Sequence, residues 1–189
     1  SALEPLAFLA MALFAIAMYR KGEKKHPNKI ALSWTLGTAI VSFVGAGLLG
    51  LAHTLPSVNM YTHGTLVTAM HGHLAFWGAY GMIVLAIISY TMPNMTGRKR
   101  YDNANGQWAF WLSNIGMIGM TSAFAAAGIA QVYMERIMGL DFGEVQREIQ
   151  VHFLVLVLCA TLFATGVGFF IYEFAKYGLP TDEALEPQH

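Results

Sequence analysis

Charged residues are scarce in this chain. Only 12% of its 189 residues are Asp, Glu, Lys or Arg, against roughly a quarter in an ordinary soluble domain. Eleven basic residues balance eleven acidic ones, and no basic stripe interleaved with aromatics is present, which excludes a nucleic-acid partner. Cysteine is nearly absent as well. Cys159 stands alone within Leu156-Val157-Leu158-Cys159-Ala160, so it forms no internal disulfide and reads as an inert, buried thiol. No signal or transit segment is visible in these residues, nor an internal repeat, and the start, Ser1-Ala2-Leu3-Glu4-Pro5, carries no methionine. The apolar run that follows, residues 6–19, is shorter than the roughly 20 residues of a full membrane span. It reads as a helix that has been cut into, part of a longer chain or one piece of a split subunit.

What the chain has in quantity is apolar sequence, 56% of the total. Runs long enough to cross a bilayer recur along it, which predicts an all-α, polytopic helical membrane protein. Five spans are expected, at about residues 5–19, 30–53, 62–92, 106–138 and 142–177. Together they make one transmembrane bundle over residues 1–178, with a short cytoplasmic tail at 179–189. Pro5 suits a first helical turn, and Gly45, Gly47 and Gly50 allow close helix contact in the second span. Pro93 should stop the third span. Gly139 is placed to cap the fourth. Asp141-Phe142-Gly143-Glu144 resembles a capping box opening the fifth, which Gly178 and Pro180 should end.

The basic residues orient the bundle. Arg20, Lys21, Lys24, Lys25, Lys29, Arg98, Lys99, Arg100 and Lys176 all fall on one side of the five-span arrangement, and only Arg136 and Arg147 on the other. The richer side should be cytoplasmic. The fifth helix would be about 50 Å long against a hydrocarbon core of about 30 Å. Its polar first turns, residues 144–150, should therefore project beyond the outer face, either as a solvated end or as a docking surface.

The third span carries the chemistry. His71-Gly72-His73 lies within it, beside Phe76, Trp77 and Tyr80. Positions two apart on a helix point about 200° away from each other. One metal ion cannot take both imidazoles while the helix stays regular, so two ligating histidines here would serve two centres on opposite sides. His71 should sit about nine residues into the span, roughly 14 Å along its axis from the outer end. Polar side chains at such depth are costly and usually functional. Imidazole is a common iron ligand, and flat aromatic walls with small residues suit a porphyrin. His152 reads as an interfacial residue near the fifth span, while His26 and His189 read as solvated.

The segment from His63 through His71-Gly72-His73 to Tyr80 resembles the tenth helix of the large subunit in the bacterial cytochrome c-dependent nitric oxide reductases, within the heme-copper oxidase superfamily. The opening at Ser1–Pro5 and the stretch Gln146-Arg147-Glu148-Ile149-Gln150-Val151-His152-Phe153 are similar to the same family. The resemblance covers essentially the whole chain and implies that its spans are the last five of twelve. It implies that His71 is the axial ligand of a high-spin heme b at the catalytic site. His73 would be one of two axial ligands of a low-spin heme b that delivers electrons. Glu4 matches a glutamate near a non-heme iron and implicated in proton supply. At a helix start a carboxylate also suits the macrodipole.

From their position, Thr54, Asn59, His63 and Thr65 are expected near the heme propionates, where they could donate hydrogen bonds. The non-heme iron and its ligands are expected outside this chain, which has no three-histidine cluster at metal spacing. The resemblance further implies reduction of two nitric oxide molecules to nitrous oxide and water. The implied setting is a bacterial inner membrane, multi-pass, with the hemes nearer the periplasmic side. The partners would be the remaining N-terminal helices of the same subunit, a membrane-anchored cytochrome c subunit and the lipid bilayer. Three further readings stay open: an oxygen-reducing terminal oxidase of the same superfamily, a non-catalytic heme b anchor pairing His71 or His73 with His152 or His53, and a heme-free helical bundle.

Overall fold

A computed structural model describes residues 3–22, 28–96 and 103–177, without the side chains of residues 94, 103 and 177. The residues at 23–27, 97–102 and 178–189 lie outside the described set, and with them Lys24, Lys25, His26, Arg98, Lys99, Arg100, Gly178, Pro180, His189 and the tail. So does Ser1. The regular structure among the described residues is all helical: α1 (Glu4–Lys21), α2 (Lys29–Ser42), α3 (Leu49–Thr54), α4 (Pro56–Thr62), α5 (Leu66–Phe76), α6 (Met82–Met95), α7 (Asn103–Val132) and α8 (Phe142–Tyr177). Three π turns complete the set. Phe43–Leu48 fuses α2 to α3, Trp77–Gly81 fuses α5 to α6, and Tyr133–Ile137 ends α7.

Fused in this way, four helices are long and apolar enough to cross a membrane: Lys29–Thr54, Leu66–Pro93, Ala104–Ile137 and Phe142–Lys176. The chain is an all-α polytopic membrane protein. The helix expected as the first span, α1, has 18 residues and carries charges at Glu4, Arg20 and Lys21. It is not among the four, but it packs on the second span, where Pro5 and Phe8 lie against Gly47.

Consecutive helices run antiparallel. Gly45 of the second span meets the backbone of Leu74 and Ala75, and Gly37 meets Met82. A Cβ on Gly45 would stand 2.7 Å from the Leu74 carbonyl carbon, so only glycine lets these two backbones approach so closely. Along α7 and α8, Gly106 faces Glu173 and Gly116 faces Phe163. An aromatic core fills the half of the bundle around the start of α2. The ring of Trp34, wholly buried, meets Trp77, Phe110 and Phe170 edge-on at centroid distances of 6.1, 5.0 and 6.1 Å. Such edge-to-face pairs add to what area burial alone contributes.

Three boundaries differ from expectation, each for a physical reason. Pro93 does not stop its helix, because α6 continues to Met95. Proline leaves the carbonyl four residues earlier without a donor, and here Asn28 Nδ2 supplies one, donating to the Ser89 carbonyl at 2.7 Å. The third span begins at Leu66 rather than Thr62, since Gly64 turns the chain at φ +74° and Thr65 is the cap. Residues 54–61 are expected only to connect the second and third spans, and 56–62 form the helix α4 with Pro56 in its first turn.

Two expected caps are present. Gly139 adopts φ +71° after α7, with the Leu140 N–H reaching back to the Met134 carbonyl. Asp141 caps α8, its Oδ2 accepting from the Gly143 N–H at 3.0 Å. The polar start of α8 has one buried face. Glu144, Arg147, Glu148 and Gln150 are exposed, but Val145 and Ile149 are fully buried, packed with Ala127, Leu66 and Phe153.

Candidate functional site

The helix α5 brings its histidines into position within its second turn and just beyond. Because it starts at Leu66, His71 lies five residues in, about 7.5 Å along the axis rather than the 14 Å expected from the sequence. Its ring turns toward the second span, where Nδ1 lies 3.0 Å from the Gly45 carbonyl. A carbonyl only accepts, so Nδ1 carries the proton and Nε2 keeps its lone pair. This is the arrangement in which an imidazole ligates a metal through one nitrogen while the other fixes the plane of the ring. The pocket for the ring belongs to one short stretch of chain. Gly50 passes the His71 Cε1 with room for a Cβ 3.6 Å away, and the ring of His53 stacks on it at a centroid distance of 4.8 Å and 21° between planes.

His73 faces the other way. Its ring lies 5.0 Å from that of Phe124 on α7, tilted by 39°, and its Nδ1 donates to the Ala69 carbonyl one turn back, at 2.8 Å. Again Nε2 is left with its lone pair. His73 is exposed, as are Phe76 and Tyr80. These residues are spaced three to four apart and so share one open face of the helix, with the two aromatic rings 5.7 Å apart. Trp77 does not join that wall. It is buried, and its Nε1 donates to Asn114 Oδ1 at 3.2 Å, while Asn114 Nδ2 donates to the Phe110 carbonyl at 2.8 Å. The two histidines thus address two sides of one helix.

The remaining candidates are scattered around this pair. Glu4 is exposed in the first turn of α1. The adjacent Pro5 touches Gly47, which places Glu4 beside the π turn whose Gly45 carbonyl holds His71. Thr54 is exposed and its hydroxyl donates to the Leu51 carbonyl at 2.7 Å. Thr65 is buried, its hydroxyl occupied as the cap of α5: it accepts from the Val67 N–H at 3.3 Å and donates to the Thr62 carbonyl at 2.7 Å. Neither hydroxyl proton is free for another acceptor in this arrangement. Asn59 is half-buried on α4, and His63 is exposed beyond it, its carbonyl 3.5 Å from Arg136 Nη2. His152 is half-buried, with Nδ1 donating to the Ile149 carbonyl at 3.1 Å. Cys159 is a free thiol packed against Gly119.

Some residues around the histidines are not marked by the sequence for the places they take. His53 enters a sequence reading only as a partner in an electron-carrying anchor, yet it stacks on His71. Its Nδ1 donates to the Leu49 carbonyl at 2.8 Å, and its Nε2 is buried without a hydrogen-bond partner. Phe124 and the Gly45 carbonyl carry no local sequence signal for such roles. Gln131 does carry one, being a polar side chain in an apolar span. It is buried, and its Oε1 accepts from the Leu66 N–H at 3.0 Å. Among the described residues, no group of three or more His, Cys, Asp or Glu side chains could hold a metal ion. What the site offers a cofactor is one Nε2 lone pair on each side of α5, each on a ring held by its other nitrogen. That donor set fits a heme iron on either side, to which His71 and His73 would each offer one nitrogen.

Comparison with known proteins gives the family of the chain. The family model described as cytochrome c and quinol oxidase polypeptide I matches residues 1–162. A nitric oxide reductase subunit of Stutzerimonas stutzeri is 42% identical over 186 residues, which is 94% of this chain and 39% of that protein. A cytochrome c oxidase subunit 1 homolog of Agrobacterium tumefaciens (strain T37) is 35% identical over 98 residues, 51% of this chain and 18% of that protein. Cytochrome c oxidase subunit 1 of Rhodobacter capsulatus is 32% identical over 84 residues, 44% of this chain and 16% of that protein. The chain therefore spans well under half the length of these relatives. With its family model matched over most of its length, the chain belongs to the cytochrome c and quinol oxidase polypeptide I family, in the heme-copper oxidase superfamily.

Proposed function

We propose that this chain is the C-terminal part of the catalytic subunit of a nitric oxide reductase. In this reading His71 and His73 would each hold the iron of one of two b-type hemes. The observation that carries the proposal is the disposition of His71 and His73, on two sides of one helix, each committing Nδ1 to a backbone carbonyl and keeping Nε2 for a metal. The 42% identity to a nitric oxide reductase subunit along 94% of the chain supports it. Bound there, a low-spin heme on His73 and a high-spin heme on His71 would supply electrons and an open iron site for reducing two nitric oxide molecules, with two protons, to nitrous oxide and water.

The chain's own residues have positioning to do. The Gly45 carbonyl fixes the plane of the His71 ring, and the His53 ring lies along it. Phe124 abuts the His73 ring, and Phe76 and Tyr80 share the open face of α5 with it. Two imidazoles on one rigid helix keep a fixed separation, which suits electron passage from one centre to the other. Glu4, beside the π turn, is the proton-handling carboxylate of this reading. Thr54, Asn59, His63 and Thr65 belong to the outer loop near the heme propionates. Non-heme iron ligands, a second ligand for the low-spin heme, and a membrane-anchored cytochrome c subunit as electron donor would come from outside the chain. The setting is a bacterial inner membrane, with the hemes toward the periplasmic side.

An oxygen-reducing terminal oxidase is the second reading, favoured by the 35% and 32% identities to cytochrome c oxidase subunits, although these cover only about half of the chain. Metal content and turnover of the purified membrane complex separate the two. Iron without copper, with consumption of nitric oxide and release of nitrous oxide, is the expected result. Stoichiometric copper with oxygen consumption would replace this reading with the oxidase one.

A further inference from the structure

The outer end of α7 takes hold of the first turn of α5. Helix starts leave four backbone N–H groups without intrahelical partners, and at α5 two of these are satisfied by different parts of the fold. Thr65 accepts from Val67, within the same segment. The Leu66 N–H donates instead to a side chain 65 residues away, Gln131 Oε1, at 3.0 Å. That acceptor leaves the Gln131 amide group facing Glu135 Oε1, to which its Nε2 donates at 2.9 Å. One orientation of the carboxamide satisfies both neighbours and its flip satisfies neither. Gln131 is only 3% exposed. One turn earlier on α7, a Cβ on Gly128 would collide with the Val67 backbone nitrogen, so the two helices are in backbone contact here.

We propose that Gln131, braced by Glu135, is a positioning residue for both histidines, fixing the height and rotation of α5 against α7. Apolar packing between membrane helices is tolerant of sliding, and a hydrogen bond is directional. The anchored residue, Leu66, lies five residues before His71 and seven before His73, about 7.5 and 10 Å along the axis. Both histidines depend on that height through contacts with other helices, His71 through the Gly45 carbonyl and His73 through Phe124. The proposal rests on the reading of His71 and His73 as heme ligands only for its spectroscopic consequence. The clamp itself stands on the hydrogen bonds.

The test uses the complete heme-loaded complex with Gln131→Leu, Gln131→Glu and the exchange Gln131→Glu/Glu135→Gln. Gln131→Leu is expected to make the Leu66 amide exchange hydrogen about tenfold faster, and to shift the low-spin and high-spin heme bands and midpoint potentials together. Gln131→Glu alone sets two carboxylates against each other and should do at least as much. The double variant restores both hydrogen bonds, since the carboxylate introduced at position 131 would accept from the Leu66 N–H and from the carboxamide introduced at position 135. It should return exchange and both heme signals toward wild type. The proposal fails if folded Gln131→Leu keeps wild-type exchange and spectra, or if the double variant is no closer to wild type than Gln131→Glu. Should Gln131→Leu not accumulate, the comparison of Gln131→Glu with the double variant decides. A wild-type complex without heme would overturn the functional reading, while amide exchange would still judge the clamp.

Discussion

Adding one methyl group at Gly45 should disturb His71 and spare His73. A Cβ built there lies 2.7 Å from the Leu74 carbonyl carbon and 2.8 Å from both the Ala75 nitrogen and the Leu74 oxygen. These are backbone atoms, which cannot rotate out of the way. For Gly45→Ala to be accommodated, α5 must retreat from the second span by about 0.7–1 Å to reach ordinary van der Waals separation. Overpacking of this kind costs about 1–3 kcal/mol. The same retreat stretches the 3.0 Å contact between His71 Nδ1 and the Gly45 carbonyl beyond hydrogen-bonding range, a further loss of about 0.5–1.5 kcal/mol. The hydrogen bond of His73 runs to Ala69 within α5 itself and moves with the helix. The assay is thermal stability of the purified complex together with its optical and magnetic circular dichroism spectra. A loss of about 2–4 kcal/mol with a perturbed high-spin signal and a preserved low-spin one is expected. Unchanged stability, or equal perturbation of both signals, would refute the reasoning.

Other substitutions test the fold around the site. Asn28→Ala leaves the Ser89 carbonyl without its 2.7 Å donor and should cost about 1–3 kcal/mol. Asn28 Oδ1 also caps α2 by accepting from the Ala31 N–H, so Pro93→Ala should recover only the Ser89 part of the loss, where the new N–H closes the bond that proline cannot make. A double-mutant cycle in thermal unfolding reads that coupling directly. Asn114→Leu strands the buried Trp77 Nε1 and should also cost about 1–3 kcal/mol, seen as a lower melting temperature with altered tryptophan emission. Gly139→Ala forces a side chain to φ +71° and should cost about 1 kcal/mol, measured the same way.

Much of this arrangement is readable from residues near one another in sequence. The opposed faces of His71 and His73 follow from 100° per residue and nothing else. Gly139 as a cap and the span 142–177 follow from turn chemistry and the long apolar run beyond the polar first turns of that span. What is not readable depends on residues distant in the chain. Pro93 is an ordinary stop signal until Asn28, 61 residues from the Ser89 carbonyl it serves, supplies the missing donor. Val145 and Ile149 are embedded in a polar stretch, and only the packing of α5 and α7 against them decides which side of that helix is buried. Nothing local to His53 tells that its ring stacks on His71. The histidines lie nearer the start of their helix than the sequence suggests because Gly64 and Thr65 break the third span after Thr62, a break that its apolar pattern conceals.

The central claim is that one helix serves two hemes, one on each side, and the most direct measurement removes the two imidazoles separately. Reduced-minus-oxidised spectra of the purified complex, with and without carbon monoxide, would be compared for wild type, His71→Ala and His73→Ala. Wild type should show low-spin and high-spin b-type signals, with carbon monoxide binding only the latter. His73→Ala should lose the low-spin signal and keep carbon monoxide binding, and His71→Ala should do the reverse. Loss of both signals in each folded variant, or a single six-coordinate heme indifferent to carbon monoxide in wild type, would contradict the account.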